Sequence, residues 1–244
     1  MTDNTTFFSI IIPLFNKEPY IFKTLKSVCN QTFTNFEIIV IDDGSTDKSP
    51  DVVKQFNDNR IIYHKIENQG VSIARNTGMQ LAKSPYFAFI DADDFWKPNH
   101  LQTLFDLIEK FPNAGMYCSR YQTYITDSKF RKNKLIDIDD DYEGYVKDFF
   151  KSSWIDRVAH TSSVCIKHKV YEEIGGFDKT LTNGEDLDFW IRIGIKYPVA
   201  ISNKITSSYY NTLETKSISQ MPFIKKTRPN LNKYLEFENN NPSF

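Results

Sequence analysis

From residue 7 to residue 110 the chain alternates short unbroken apolar runs with stretches whose apolar residues recur at helical spacing. That alternation constrains the fold more than any other feature. A strand without polar positions has no side to offer to water, so it must be buried on both faces. Segments 7–13, 36–41 and 86–90 read as such strands, and 61–65 as a further strand. Between them, Ile21, Leu25, Val28 and Cys29 share a helical face behind Pro19, a residue suited to a helix start. Val52, Val53 and Phe56 mark a second, short helix, and Val71, Ala74, Gly78 and Leu81 a third. Leu101, Leu104, Phe105 and Ile108 give a fourth just past Pro98. Strands alternating with helices predict an α/β fold, a mainly parallel central sheet with helices on both faces.

Beyond about residue 120 the pattern loosens. Residues 126–144 are polar, with acids at Asp137, Asp139, Asp140 and Asp141. A calcium loop would need glycine where Tyr142 stands, so a solvated loop is expected. Segment 161–166 reads as a strand and 169–174 as a short helix stopped by Gly175 and Gly176. Over 186–197, Leu187, Trp190, Ile191 and Gly194 line one helical face and Pro198 follows. At 244 residues and 40% apolar, one domain in two halves is expected. The halves are 1–120 and 121–206, with a polar, basic tail over 207–244.

Two strands run into acids. Residues 86–94 read Tyr-Phe-Ala-Phe-Ile-Asp-Ala-Asp-Asp, and 42–45 read Asp-Asp-Gly-Ser. Strand interiors disfavour Asp, so these acids belong at the carboxyl ends, the edge where open α/β sheets bind ligands. Crowded carboxylates repel one another unless a cation or a donor sits among them. Asp-x-Asp suits Mg²⁺ or Mn²⁺, which take one or two carboxylates and leave positions for phosphates. Plain turn chemistry explains either motif singly. The same carboxyl edge on two strands is harder to explain that way. Asp43 before Gly44 can accept an imide N–H from a flat ring, or can merely cap a turn. Gly70 opens a helix whose free N–H groups attract anions, and Arg75 adds a fork for phosphate or for a neighbouring acid. At 184–188, Gly-Glu-Asp-Leu-Asp places acids at a helix start, where the helix dipole alone accounts for them.

The motifs at 8–17 (Phe-Ser-Ile-Ile-Ile-Pro-Leu-Phe-Asn-Lys), 31–33 (Gln-Thr-Phe), 36–47, 70–76 (Gly-Val-Ser-Ile-Ala-Arg-Asn), 91–94 and 184–186 follow in this order. Over roughly residues 7–200 the ordered set resembles glycosyltransferase family 2, inverting enzymes of the GT-A (Rossmann-like) fold. The resemblance implies a nucleotide-sugar donor, usually UDP-linked, with Mg²⁺ or Mn²⁺ on its diphosphate, and a hexosyl or N-acetylhexosaminyl group transferred. It implies Pro13, Phe15, Asn16 and Glu18 around the nucleoside, Asp43 on the base, and Gly70 and Arg75 near the base or diphosphate. Asp91 and Ala92 lie by the donor, Asp93 holds the metal, and Asp186 is the catalytic base. A carboxylate at a loop mouth beside a diphosphate suits that last task, with Asp188 the weaker candidate. The Gln-x-x-Arg-Trp motif of processive members is absent, which implies single addition to a glycan or lipid-linked glycan of the cell envelope.

Other readings fit less well. A dehalogenase-type phosphatase would carry its Asp-x-Asp on the first strand, not the fourth. A sugar-nucleotide pyrophosphorylase would carry a glycine-rich loop where Pro13-Leu14-Phe15-Asn16 stands. A non-catalytic nucleotide-sugar-binding module is the remaining alternative, and Asp186 beside a full donor set argues against it. With 30 basic against 31 acidic residues there is no basic stripe for nucleic acid. Cys29, Cys118 and Cys165 are too far apart for a zinc site and read as small buried hydrophobes. No basic leader is present and no apolar run approaches about 18 residues, which predicts a cytoplasmic protein without a spanning helix. Peripheral contact with the inner face of the membrane would use Lys225, Lys226 and Arg228, near Phe223 and Leu231. On the acceptor side stand Trp154, His160 and Glu185, with Tyr171 and Phe177 as further aromatics; for each aromatic the core is the commoner fate. The particular sugar, linkage and oligomeric state are not encoded in any of these motifs.

Overall fold

The computed structural model describes residues 6–126, 128–210 and Tyr234. In chain order the elements are β1 (Phe8–Leu14), α1 (Glu18–Cys29), β2 (Phe36–Asp43), α2 (Ser49–Lys54), β3 (Ile61–Ile66), α3 (Val71–Leu81), β4 (Tyr86–Phe89), β5 (Phe95–Trp96) and α4 (His100–Lys110). There follow β6 (Met116–Thr126), β7 (Lys129–Lys132), β8 (Gly144–Tyr145), α5 (Phe149–Ser152), β9 (Val164–Lys167), α6 (His168–Ile174), α7 (Glu185–Lys196) and β10 (Val199–Tyr210). The expected strand over 161–166 begins only at Val164, because Thr161–Ser163 form a 3₁₀ turn.

The described strands form one sheet in the order β3-β2-β1-β4-β9-β6-β10-β5, with β7 beside β6 and β8 beside β10. From β3 to β4 every pairing is parallel. At β9 the polarity turns: β9 is antiparallel to both β4 and β6, while β6 and β10 are again parallel. The α/β architecture expected from the alternating pattern is present, with four parallel strands from the first half of the chain and a second parallel pair in β6 and β10. The unbroken apolar runs have a direct explanation. Ile11, Ile39, Phe87 and Phe89 point into one core with Ala74 and Met79 of α3 and Phe189, Trp190 and Ile193 of α7. Ile10, Ile12, Ile38 and Val40 point into the other, against Leu25 and Val28 of α1 and Leu101 and Leu104 of α4. Both faces of β1, β2 and β4 are therefore covered, as such strands require, while the edge strand β3 is only partly covered, with Ile62 exposed.

The acids of 137–141 line an exposed loop, where Asp140 pairs with Arg120. Cys118 and Cys165 are buried and Cys29 half-buried, none of them in a disulfide. No helix among the described residues is long and apolar enough to cross a membrane. The basic tail residues considered for membrane contact lie outside the described residues. The first four residues of the expected tail, 207–210, are the end of β10.

Candidate active site

Because β1, β2 and β4 are parallel neighbours, the loops that follow them open on the same edge of the sheet. Pro13 and Phe15 are half-buried at the end of β1. Asn16 is exposed and takes a left-handed backbone, φ +50°. Its N–H donates to Ser45 Oγ at 3.1 Å, and its Oδ1 accepts from the Thr46 N–H at 2.8 Å. Glu18 exchanges similar bonds with Lys48 and Asp47. These two residues thus stitch the β1 and β2 loops into one rim.

The paired acids of β2 are held by the protein itself. Asp42 accepts from the Ser45 N–H at 2.8 Å and from the Tyr63 hydroxyl at 2.5 Å. Asp43 accepts from the N–H groups of Gln69 and Gly70, both at 2.8 Å, one on each oxygen. The anion that the start of α3 attracts is therefore Asp43. Each of its oxygens keeps a further lone pair for a ligand donor. Burial raises the Asp43 carboxyl above the usual range, against those two N–H groups. Gly44 at φ +76° leaves no room for a side chain, since a Cβ would stand 2.9 Å from the Asn68 nitrogen.

Arg75 joins distant parts of the chain. Its guanidinium, 4% exposed, bonds Asp91 Oδ1 and Glu185 Oε1, each at 2.8 Å. It lies 5.1 Å from the Phe177 ring. Burial alone would push the Asp91 carboxyl up; Arg75 overrides it and holds it below the ordinary value. Ala92 is buried between these acids. Asp93 accepts from Lys17 Nζ at 2.6 Å, and burial still raises its carboxyl, with Asp91 adding to the effect. Asp94 turns inward to Ser162 Oγ at 2.5 Å and the Tyr210 N–H at 3.0 Å. Burial, then Asp93 and Asp91, push the Asp94 carboxyl well above its usual range. Among the described residues no group of three or more His, Cys, Asp or Glu side chains could hold a metal alone.

The start of α7 reaches the same edge. Gly184 caps it in the left-handed region, Glu185 goes to Arg75, and Asp186 faces Arg157. The Asp186 oxygens accept from Arg157 Nη1 at 2.5 Å and from the Leu187 N–H at 2.7 Å. Asp188 points away to Arg192 at 2.9 Å and to the Tyr234 hydroxyl. His160 stands by the Asp91 and Asp186 charges, its Nδ1 accepting from the Ser162 N–H at 3.3 Å. Burial lowers its imidazole to about 4, so at neutral pH it is uncharged. Trp154, for which the core was the commoner expectation, is 83% exposed. Phe177 is in the core and Tyr171 packs against it. Lys17 and Arg157 have no counterpart among the residues singled out from the sequence. Both are basic side chains in loops, and only the fold shows which acids they meet.

Residues 9–175 match the family model for glycosyl transferase family 2, and the chain belongs to that family. Among its relatives is the glycosyltransferase GlyA of Streptococcus pneumoniae, 41% identical over 118 residues, 48% of this chain and 17% of GlyA. Another is the minor teichoic acid biosynthesis protein GgaA of Bacillus subtilis, 43% identical over 107 residues, 41% of this chain and 24% of GgaA. The fold matches that of S. aureus TarS 1–349 in complex with UDP-GlcNAc, with a TM-score of 0.71 and 21% identity. That match covers 84% of this chain and 58% of TarS 1–349. The chain thus spans less than two thirds of each of these proteins, from 17% of GlyA to 58% of TarS 1–349.

Proposed function

We propose that this chain is an inverting glycosyltransferase that moves one sugar from a nucleoside-diphosphate donor, UDP-linked, to a hydroxyl of a glycan or lipid-linked glycan. The observation that carries the reading is Arg75. By bonding Asp91 and Glu185 together, it sets the Asp-x-Asp loop beside the helix start that bears Asp186. The UDP-GlcNAc complex of TarS supports the UDP donor. The name of GgaA, a minor teichoic acid biosynthesis protein, supports an acceptor in cell-envelope polymer synthesis. In this reading residues 1–120 serve the donor and 121–206 the acceptor.

Asp93 and Asp91, 13% and 29% exposed, fit Mg²⁺ or Mn²⁺ as a donor set completed by phosphate oxygens, the usual arrangement for hard cations that bind with nucleotides. Asp93 would hold such a cation, which supplies positive charge against the departing diphosphate. Asp43, anchored by its two N–H partners, presents its free lone pairs to the base. Asp186 accepts the proton of the acceptor hydroxyl as that oxygen bonds the anomeric carbon, on the face opposite the departing diphosphate. The bond from the anomeric carbon to the diphosphate breaks in the same step, so configuration inverts and no enzyme nucleophile is needed. Arg75, with two acids on its fork, acts as a positioning residue. Asp186→Asn should abolish transfer while UDP binding stays within about twofold of the parent. Asp93→Ala should weaken donor binding only when the cation is present. Donor affinity lost in Asp186→Asn would make Asp186 a binding residue, and full activity of Asp93→Ala would remove the metal assignment.

A further inference from the structure

Asp93, which the reading above makes the cation's ligand, is already occupied. Lys17 Nζ lies 2.6 Å from its Oδ2, and the two side chains are 14% and 13% exposed. Asp91 next to it is engaged by Arg75, so Lys17 is the positive charge that an arriving cation meets at Asp93. The Lys17 backbone is pinned: its N–H donates to Ser49 Oγ at 2.8 Å, and its carbonyl accepts from the N–H groups of Tyr20 and Ile21. Any yielding must therefore come from the side chain, whose four-carbon stem is flexible.

We propose that Lys17 is the resident counter-ion of Asp93 and gates the divalent cation, so that the cation binds firmly only together with a nucleoside diphosphate that takes the Lys17 ammonium over. An ammonium and a divalent cation compete for the same carboxylate oxygen, and side by side in a partly buried site they repel. A diphosphate changes the balance. It brings anionic oxygens that accept from the displaced ammonium by charge-assisted hydrogen bonds, while its other oxygens complete the cation's shell. Asp93 and Lys17 cancel before binding; afterwards the two added positive charges are matched by the diphosphate. Cation and nucleotide are then thermodynamically coupled, each raising the affinity of the other by the same factor.

The inference rests on Asp93 being the cation's ligand, and the experiment separates the two claims. Free Mn²⁺ is followed by its paramagnetic resonance signal during titration of the full chain, Lys17→Met, Lys17→Gln and Asp93→Asn. Each is titrated with and without UDP, the binding of Mn²⁺ to UDP alone being subtracted, and circular dichroism checks that each variant is folded. The parent should bind Mn²⁺ weakly by itself and at least about tenfold more tightly with UDP. Both Lys17 variants should bind Mn²⁺ alone at least about tenfold more tightly than the parent, and UDP should add correspondingly less. If binding needs Asp93 but the Lys17 variants match the parent, the gate is wrong and the metal reading stands. If Asp93→Asn binds Mn²⁺ with UDP as well as the parent does, the metal reading falls and the gate with it.

Discussion

Arg75 reaches Asp91, 16 positions away, and Glu185, 110 positions away, from a single guanidinium. Its identity in the sequence suggested either a phosphate fork or an ion pair; the structure shows the ion pair, doubled. Removing it would strand two acids at a buried junction, the costly way to break such an arrangement. Arg75→Met should lower unfolding stability by about 3 kcal/mol or more in urea titrations. A loss under about 1 kcal/mol would mean that the acids relax into water once freed. The acids of the site were readable because each sits at the end of an apolar strand or the start of an amphipathic helix, positions with a local signature. Their cationic partners were not. Lys17 meets Asp93 across 76 positions and Arg157 meets Asp186 across 29, and no spacing rule links residues brought together only by sheet order.

At the scale of elements, β1, β2, β4 and α4 were evident from apolar runs and helical spacing. The pair β6 and β10 was not. In them Ser119 pairs with Ser202 and Gln122 with Ser208, and Arg120, Thr123, Thr206 and Ser207 are buried as well, so the hydrophobic pattern is silent there. The joint between halves is equally hidden. The Asn76 side chain donates to the Phe177 carbonyl and accepts from the Phe177 N–H, both at 2.8 Å, across 101 positions. Gly176 lies so close that a Cβ would overlap Asn76 Oδ1. This pairing clamps α3 to the segment that leads into α7, and hence to Asp186. Asn76→Ala leaves a buried N–H and carbonyl without partners, which should cost about 2 kcal/mol or more in urea unfolding. Transfer should fall further than donor affinity, because the clamp holds the segment that leads to Asp186, the base in the proposed mechanism, and not the nucleotide. A proportional fall in both would place its effect on donor binding.

For the whole molecule, acid sensitivity follows from a buried histidine that is not among the proposed site residues. His100 is buried against Trp96 and Thr206, and burial lowers its imidazole from 6.5 to about 3. Between those values the unfolded chain takes up a proton that the folded one refuses. Stability is therefore lost as pH falls, by about 1.4 kcal/mol per pH unit from this group. Asp94 acts in the opposite sense, since its raised carboxyl favours the folded state as acid is added. His100→Asn, which can keep a hydrogen bond to Thr206, should flatten the fall in urea midpoint between pH 6 and pH 4. An unchanged slope would assign the acid sensitivity to other groups. The loop cations have a consequence of a different kind. Lys17 cancels Asp93, Arg157 faces Asp186, and Arg75 lies between Asp91 and Glu185, so the mouth of the site projects little positive field into solvent. The negatively charged donor proposed above is then not drawn in from a distance; in that reading it meets the site by ordinary diffusion, and attraction begins only once contact rearranges those pairs. Stopped-flow association of UDP should accordingly change by less than about twofold between low and physiological salt. Electrostatic steering would show as a steep decline over the same range.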